Sequence, residues 1–132
     1  MGRCNLKYNY NIMSTRKNNS TSIIITFLDF LNVVKMYHWN TRSYAEHTAT
    51  DALYRVLGKN IDKFVENMLA DKRLPTLKTK IYIVNTNRPV FMSKLNKFKS
   101  FLLKLNMTPD LMNIRDDMLS NVDQFIYLMS QH

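Results

Sequence analysis

Four residues have the types and spacing that metal chemistry needs: His47, Asp51, Asp62 and Glu66. His47 and Asp51 are four apart, as are Asp62 and Glu66, and eleven residues separate Asp51 from Asp62. At about 3.6 residues per turn, steps of four and eleven return to nearly the same side of a helix, so all four project from one stripe. Imidazole and carboxylate together suit iron, with Zn(II) and Mn(II) as further first-row candidates. The set is also symmetric about a point between Val56 and Leu57. Two copies crossing antiparallel there bring His47 of one chain to Glu66 of the other, and Asp51 to Asp62. A two-fold dimer then carries two identical sites, roughly 22 Å apart at a rise of about 1.5 Å per residue. Gly58, beside the crossing point, marks a place for close backbone approach.

Other chemistries find no support. Cys4 is the single cysteine, which excludes an internal disulfide framework and fits a reducing compartment, and no Gly-rich phosphate loop is present. No signal-peptide pattern is seen. The longest apolar stretch, Ile23 to Val34, is interrupted by Thr26, Asp29 and Asn32, so neither a membrane span nor secretion is expected.

The elements that must hold this stripe follow from hydrophobic period. With 132 residues, two glycines and three prolines, the chain fits a single helical domain. Residues 1–19 read as a polar basic tail and 20–132 as the folded unit. Ile24, Phe27, Leu28, Leu31, Val34 and His38 give one face of a helix over 21–40. Leu53, Val56, Leu57, Ile61, Phe64, Val65 and Met68 support a second over 44–70. Pro75 breaks that helix, and alternation at Lys80–Val84 predicts a short extended piece within a connection over 71–88. A third helix over 89–106 carries Phe91, Leu95, Phe98, Leu102 and Leu105. Thr108-Pro109-Asp110 opens a fourth over 109–130, with Leu111, Ile114, Met118, Val122, Phe125 and Met129 inside. The predicted core is Leu28, Leu31, Leu53, Leu57, Phe64, Phe98, Leu102, Val122 and Phe125. Four amphipathic helices with a longer connection between the second and third match an all-α, ferritin-like antiparallel four-helix bundle. In it His38 falls on the inner face near the end of the first helix, a fifth candidate ligand.

Charge adds a second theme. Nineteen basic residues stand against ten acidic ones. Residues 1–28 hold Arg3, Lys7, Arg16 and Lys17 with no acid. Residues 72–104 hold Lys72, Arg73, Lys78, Lys80, Arg88, Lys94, Lys97, Lys99 and Lys104, again with no acid. Such a surface attracts phosphate backbones through counterion release, with Arg16, Lys17, Lys94 and Lys97 the contacts expected to matter.

Tyr37-His38-Trp39, followed by His47-x3-Asp51-x2-Tyr54-x7-Asp62-x3-Glu66, resembles the signature of the Dps proteins, miniature ferritins that oxidise and store iron. The resemblance implies a ferroxidase centre at a two-fold interface, with His38, His47 and Asp51 from one subunit, Asp62 and Glu66 from the other, and Trp39 beside the site. A closer likeness runs over most of 20–130. The Tyr37-His38-Trp39-Asn40-Thr41-x-Ser43-Tyr44-Ala45-x-His47 run, Asn113-Ile114-Arg115-Asp116 and Gln124-Phe125-Ile126-Tyr127-Leu128 resemble an uncharacterised ferritin-like family of large DNA viruses. The chain departs from Dps in a shorter segment between Trp39 and His47 that lacks the family's Lys-Gly turn. The chain is also shorter, and its residues 71–88 need not reproduce the family's connecting helix. A homodimer through the second helix is therefore better supported than a closed storage cage.

Three functions follow as expectations. The first is Dps-like iron binding and Fe(II) oxidation at the shared site. The second is a structural or capsid-associated virion protein that meets other virion proteins on the same scaffold, without catalysis. The third is a basic nucleic-acid-packaging protein. Each places the protein in the host cytoplasm or inside a virion.

Overall fold

A computed structural model of the chain describes residues 19–131. It contains four helices: α1 (Asn19–Asn40), α2 (Tyr44–Leu69), α3 (Arg88–Lys104) and α4 (Pro109–Ser130). Among the described residues there is no strand. Arg16, Lys17 and the tail before residue 19 lie outside the described residues.

Local chemistry accounts for the boundaries. Ser43 caps α2, its hydroxyl accepting from the Glu46 backbone N–H at 3.2 Å. Asn87 caps α3 through a bond from the Val90 N–H at 3.0 Å, with a proline in the first turn. At α4, Thr108 takes the extended N-cap backbone, but its side chain makes no capping bond. The Thr108 side chain, followed by the backbone at Asp110, instead holds the Asp110 carboxyl below its usual range. α2 ends at Ala70, whose φ of 53° is unusual for a residue with a Cβ and whose N–H bonds to Glu66 O at 2.9 Å.

The connection over residues 70–87 returns along the bundle. Asn40, at the end of α1, donates to Thr86 O at 3.4 Å, so α3 starts beside the start of α2. At that same end the Arg88 guanidinium reaches Glu46 in α2 and Met129 O in α4. α1 and α4 therefore finish where α2 and α3 begin. α1 packs beside α2 and α3, α4 packs beside the same two, and the parallel pairs lie on the diagonals. The expected extended piece at Lys80–Val84 forms no strand, because no second strand is there to pair with it. Ile81, Tyr82, Ile83 and Val84 are exposed.

Among the described residues, nineteen buried apolar side chains form one core. Phe27 sits at its centre, edge-on to Phe64, Phe98 and Phe101 at 5.3, 6.3 and 5.9 Å between ring centroids. The expected stripes of α3 and α4 are inside, apart from a half-buried Leu105 just past α3. On α2, Val56 is exposed and Val65 and Met68 are half-buried. The α1 face needs correction. Ile23, Phe27, Phe30, Val34 and Tyr37 point inward, Leu31 is half-buried, and Leu28 is 44 % exposed. Steps of four and three through these positions bury two extra aromatic rings, a larger apolar gain than Leu28 and Leu31 offer. α1, taken whole, is long and apolar enough by length and composition to cross a membrane, although polar residues interrupt its apolar run.

Candidate functional site

The five expected ligands separate into two groups within one chain. His38 and His47 face each other across the α1–α2 turn, their rings stacked with centroids 3.9 Å apart and 21° between planes. Each Nδ1 meets the other residue's backbone carbonyl: His38 Nδ1 to His47 O at 2.8 Å, and His47 Nδ1 to His38 O at 3.0 Å. A carbonyl can only accept, so these bonds assign the proton of each neutral ring to Nδ1. Each Nε2 keeps its lone pair, and neither has a hydrogen-bond partner among the described residues. His38 is buried and its Nδ1 also lies 3.0 Å from Thr50 Oγ1; His47 is exposed.

Asp51 follows one turn after His47, with its carboxylate accepting from Arg55 at 3.0 Å. Asp62 and Glu66 sit on the exposed outer side of α2, toward its far end. From His47 to Glu66 the helix rises about 28 Å, so these carboxylates do not approach the histidines of their own chain. Among the described residues of one chain, no three His, Cys, Asp or Glu side chains converge to hold a metal ion. The donors present suit a first-row metal: two imidazoles oriented through Nδ1 by backbone carbonyls, as metal-ligating histidines characteristically are. One chain brings the two imidazoles together and leaves Asp62 and Glu66 apart from them.

Gly58 lies on the same stripe, between Asp51 and Asp62. A Cβ built at Gly58 meets nothing within 4 Å, so no neighbour inside the chain requires a glycine there. Glycine inside a helix costs roughly 1 kcal/mol relative to alanine. Within a single chain that cost goes unexplained.

Trp39 is 67 % exposed, with Lys35 Nζ 5.7 Å from its ring. Lys94 is half-buried and Lys97 exposed, and both line a shallow groove between α1 and α3 floored by Phe30, Phe98 and Phe101. The basic run over 72–104 is partly neutralised by acids distant in sequence. Lys99 pairs with Asp123 at 2.6 Å and Arg88 with Glu46 at 2.9 Å.

Sequence reasoning missed Glu46. Its carboxylate is buried and accepts from three side chains: Tyr37 OH at 2.8 Å, Thr41 Oγ1 at 2.8 Å and Arg88 Nη1 at 2.9 Å. Burial, then the Glu46 hydrogen bond and charge, push the Tyr37 hydroxyl up to about 12. Two signals were available. Ser43-x2-Glu46 has the spacing of a capping box, and the buried positions Leu53, Leu57, Ile61 and Phe64 continue backward through Thr50 to Glu46 at helical spacing.

The site thus defines a helical bundle with a paired-histidine face on α1 and α2 and a polar clamp joining all four helices at one end. The chain belongs to a family of unknown function, DUF5856, which matches residues 38–129. That span contains His38, His47, Asp51, Asp62 and Glu66, together with Glu46 and Arg88. No curated protein and no solved structure matches the chain.

Proposed function

We propose that the protein is a ferritin-like subunit that pairs through antiparallel α2 helices and binds and oxidises Fe(II) at two shared sites. One observation carries this reading: the stacked His38–His47 pair, with both Nδ1 atoms occupied by backbone carbonyls and both Nε2 lone pairs uncommitted. Three further features support it. The long α2–α3 connection and the parallel diagonals are those of a bundle with one crossover. Gly58 leaves open space beside the symmetry point of the stripe. Asp62 and Glu66 stand exposed at the mirror positions of Asp51 and His47.

In this arrangement His38 and His47 bind through Nε2, and their Nδ1–H bonds prevent ring rotation. Asp51, released from Arg55, joins them, and Asp62 and Glu66 of a second copy supply the remaining oxygen ligands. Iron is the substrate: two Fe(II) each give one electron to a peroxide, which takes up two protons and leaves as two waters. The protein contributes ligands and orientation.

The test compares wild type with the Asp62→Asn, Glu66→Gln double variant, which removes charge while nearly preserving shape. Wild type is expected to oxidise Fe(II), followed by absorbance, and to melt higher with Zn(II) by mass action. The variant is expected to lose both effects and keep its fold. Wild type that neither binds nor oxidises iron, or dimers in which residues 47 and 66 of paired chains lie far apart, would sink the proposal.

A second reading has its own observation. Lys72, Arg73, Lys78, Lys80, Lys94, Lys97 and Lys104 form no ion pair among the described residues, and residues 1–18 contain no acid that could neutralise them. A nucleic acid on this surface would bind with a steep salt dependence. Weak, salt-insensitive association at low ionic strength would dismiss it.

A further inference from the structure

We infer that Glu46 is a positioning residue for the histidine pair, setting the α1–α2 register in which His38 and His47 stack and bond to each other's backbone. Tyr37 and Glu46 are nine residues apart, and so are His38 and His47. Tyr37 and His38 adjoin near the end of α1, and Glu46 and His47 adjoin in the first turn of α2, so the Tyr37–Glu46 bond restrains the same crossing that the two rings share.

The carboxylate is committed to this contact. In an ordinary capping box Glu46 would turn back to the Ser43 N–H. Here that N–H bonds to Thr41 Oγ1 at 3.2 Å instead, and the Glu46 side chain turns inward. A buried carboxylate is tolerable only with donors around it, and Tyr37, Thr41 and Arg88 provide them. Arg88 carries the restraint beyond the local turn, since its second nitrogen donates to Met129 O in α4. A separate thread runs through Thr50, whose hydroxyl donates to Glu46 O at 2.7 Å and lies 3.0 Å from His38 Nδ1. Glu46 and the ring it orients are therefore linked through both side chain and backbone. Glu46 acts through the rings and lies outside the expected ligand set.

The affinity arm of the test rests on the metal-binding reading, and the ring arm does not. Two-bond proton–nitrogen correlation spectra of the metal-free, nitrogen-15-labelled full chain at about pH 8 report which ring nitrogen carries the proton in neutral histidine. Wild type is expected to show His38 and His47 as Nδ1–H. Glu46→Gln is expected to shift His38 toward a mixture of tautomers, and Tyr37→Phe to do so less, with helix content by circular dichroism unchanged. Leu102→Ala, in the core toward the other end of α3, loosens the bundle and should leave both tautomers as in wild type. Affinity for Co(II), read from its visible absorption, should fall about ten-fold or more in Glu46→Gln, as for other residues that orient a ligand.

Unchanged tautomers in both Glu46→Gln and Tyr37→Phe overturn the inference, and so does an equal shift in Leu102→Ala. If Glu46→Gln fails to fold, Tyr37→Phe decides. Wild type that ignores Co(II) defeats the metal-binding reading, while the ring spectra still decide the role of Glu46.

Discussion

Tyr37 lies flat against Phe91, with ring centroids 4.1 Å apart and planes 4° from parallel, while its hydroxyl donates to Glu46. One side chain thus joins the apolar core to the polar clamp. Its hydroxyl is raised from 10.0 to about 12, chiefly by burial and next by the Glu46 bond. The folded chain holds this proton more tightly than the unfolded chain. The associated stability is fully present below pH 10 and is lost as pH rises toward 12. At about 1.36 kcal/mol per pH unit the loss is at most roughly 2–3 kcal/mol. Urea unfolding between pH 9 and 12 should show a steeper decline for wild type than for Tyr37→Phe, and equal slopes would refute the assignment.

Glu46 and Arg88 should couple measurably. The Arg88 side chain is 42 % exposed and that of Glu46 only 7 %, so solvent screens one partner. A double-mutant cycle with alanine at each position should give about 1–2 kcal/mol, below the ~3–5 kcal/mol cost of breaking a fully buried pair. Additive single effects would mean that the clamp contributes geometry without energy.

Gly58→Ala separates folding of the chain from the proposed pairing. The new methyl meets nothing within the chain, so the monomer should gain about 0.5–1 kcal/mol from helix propensity. If α2 crosses a second copy there, the same methyl should weaken association in sedimentation equilibrium. Stronger or unchanged dimerisation would remove Gly58 from the interface.

The buried face of α1 is tested by two neighbours. Phe27→Ala deletes the ring that meets Phe64, Phe98 and Phe101 and should cost about 3–5 kcal/mol by urea denaturation. Leu28→Ala, one residue on and 44 % exposed, should cost under ~1 kcal/mol. Comparable costs would return Leu28 to the core.

The proposed sharing of each site between two chains makes a distinctive prediction for mixtures. A His47→Asn chain and an Asp62→Asn, Glu66→Gln chain should each be inactive alone. Co-refolded in equal amounts, half the dimers are mixed, and each mixed dimer has one intact site. About a quarter of wild-type Fe(II) oxidation should return. No recovery would rule out sites built from both chains.

α4 was readable in full because its apolar residues fall once per turn on a single side, opened by Pro109. α1 was harder. Ile23, Ile24, Phe27, Leu28, Phe30 and Leu31 offer two overlapping apolar faces, and the choice between them is made by the rings of α2 and α3. For the site, His38 opposite His47 could be anticipated from the inner face of α1 and the stripe on α2. Glu46 was harder to place, although the buried stripe of α2 runs back to it through Thr50. A glutamate in a first turn ordinarily faces water, and this one is drawn inside by Arg88, forty-two residues later. The same distance explains why Arg88 counted as part of an uncompensated basic run.

The return of the 70–87 connection to the start of α2 has an electrostatic consequence. Every helix is flanked by antiparallel neighbours, so the partial charges at helix ends alternate in sign around each end of the bundle: positive at α2 and α3, negative at α1 and α4 where Glu46 and Arg88 meet. The four macrodipoles cancel in pairs, and what remains decays quickly with distance. The long-range field of the protein is thus written by its side chains, with a formal net charge of +9 and an acid-free run over 72–104. An approaching anion is oriented by where the lysines sit and hardly at all by the direction of the helices.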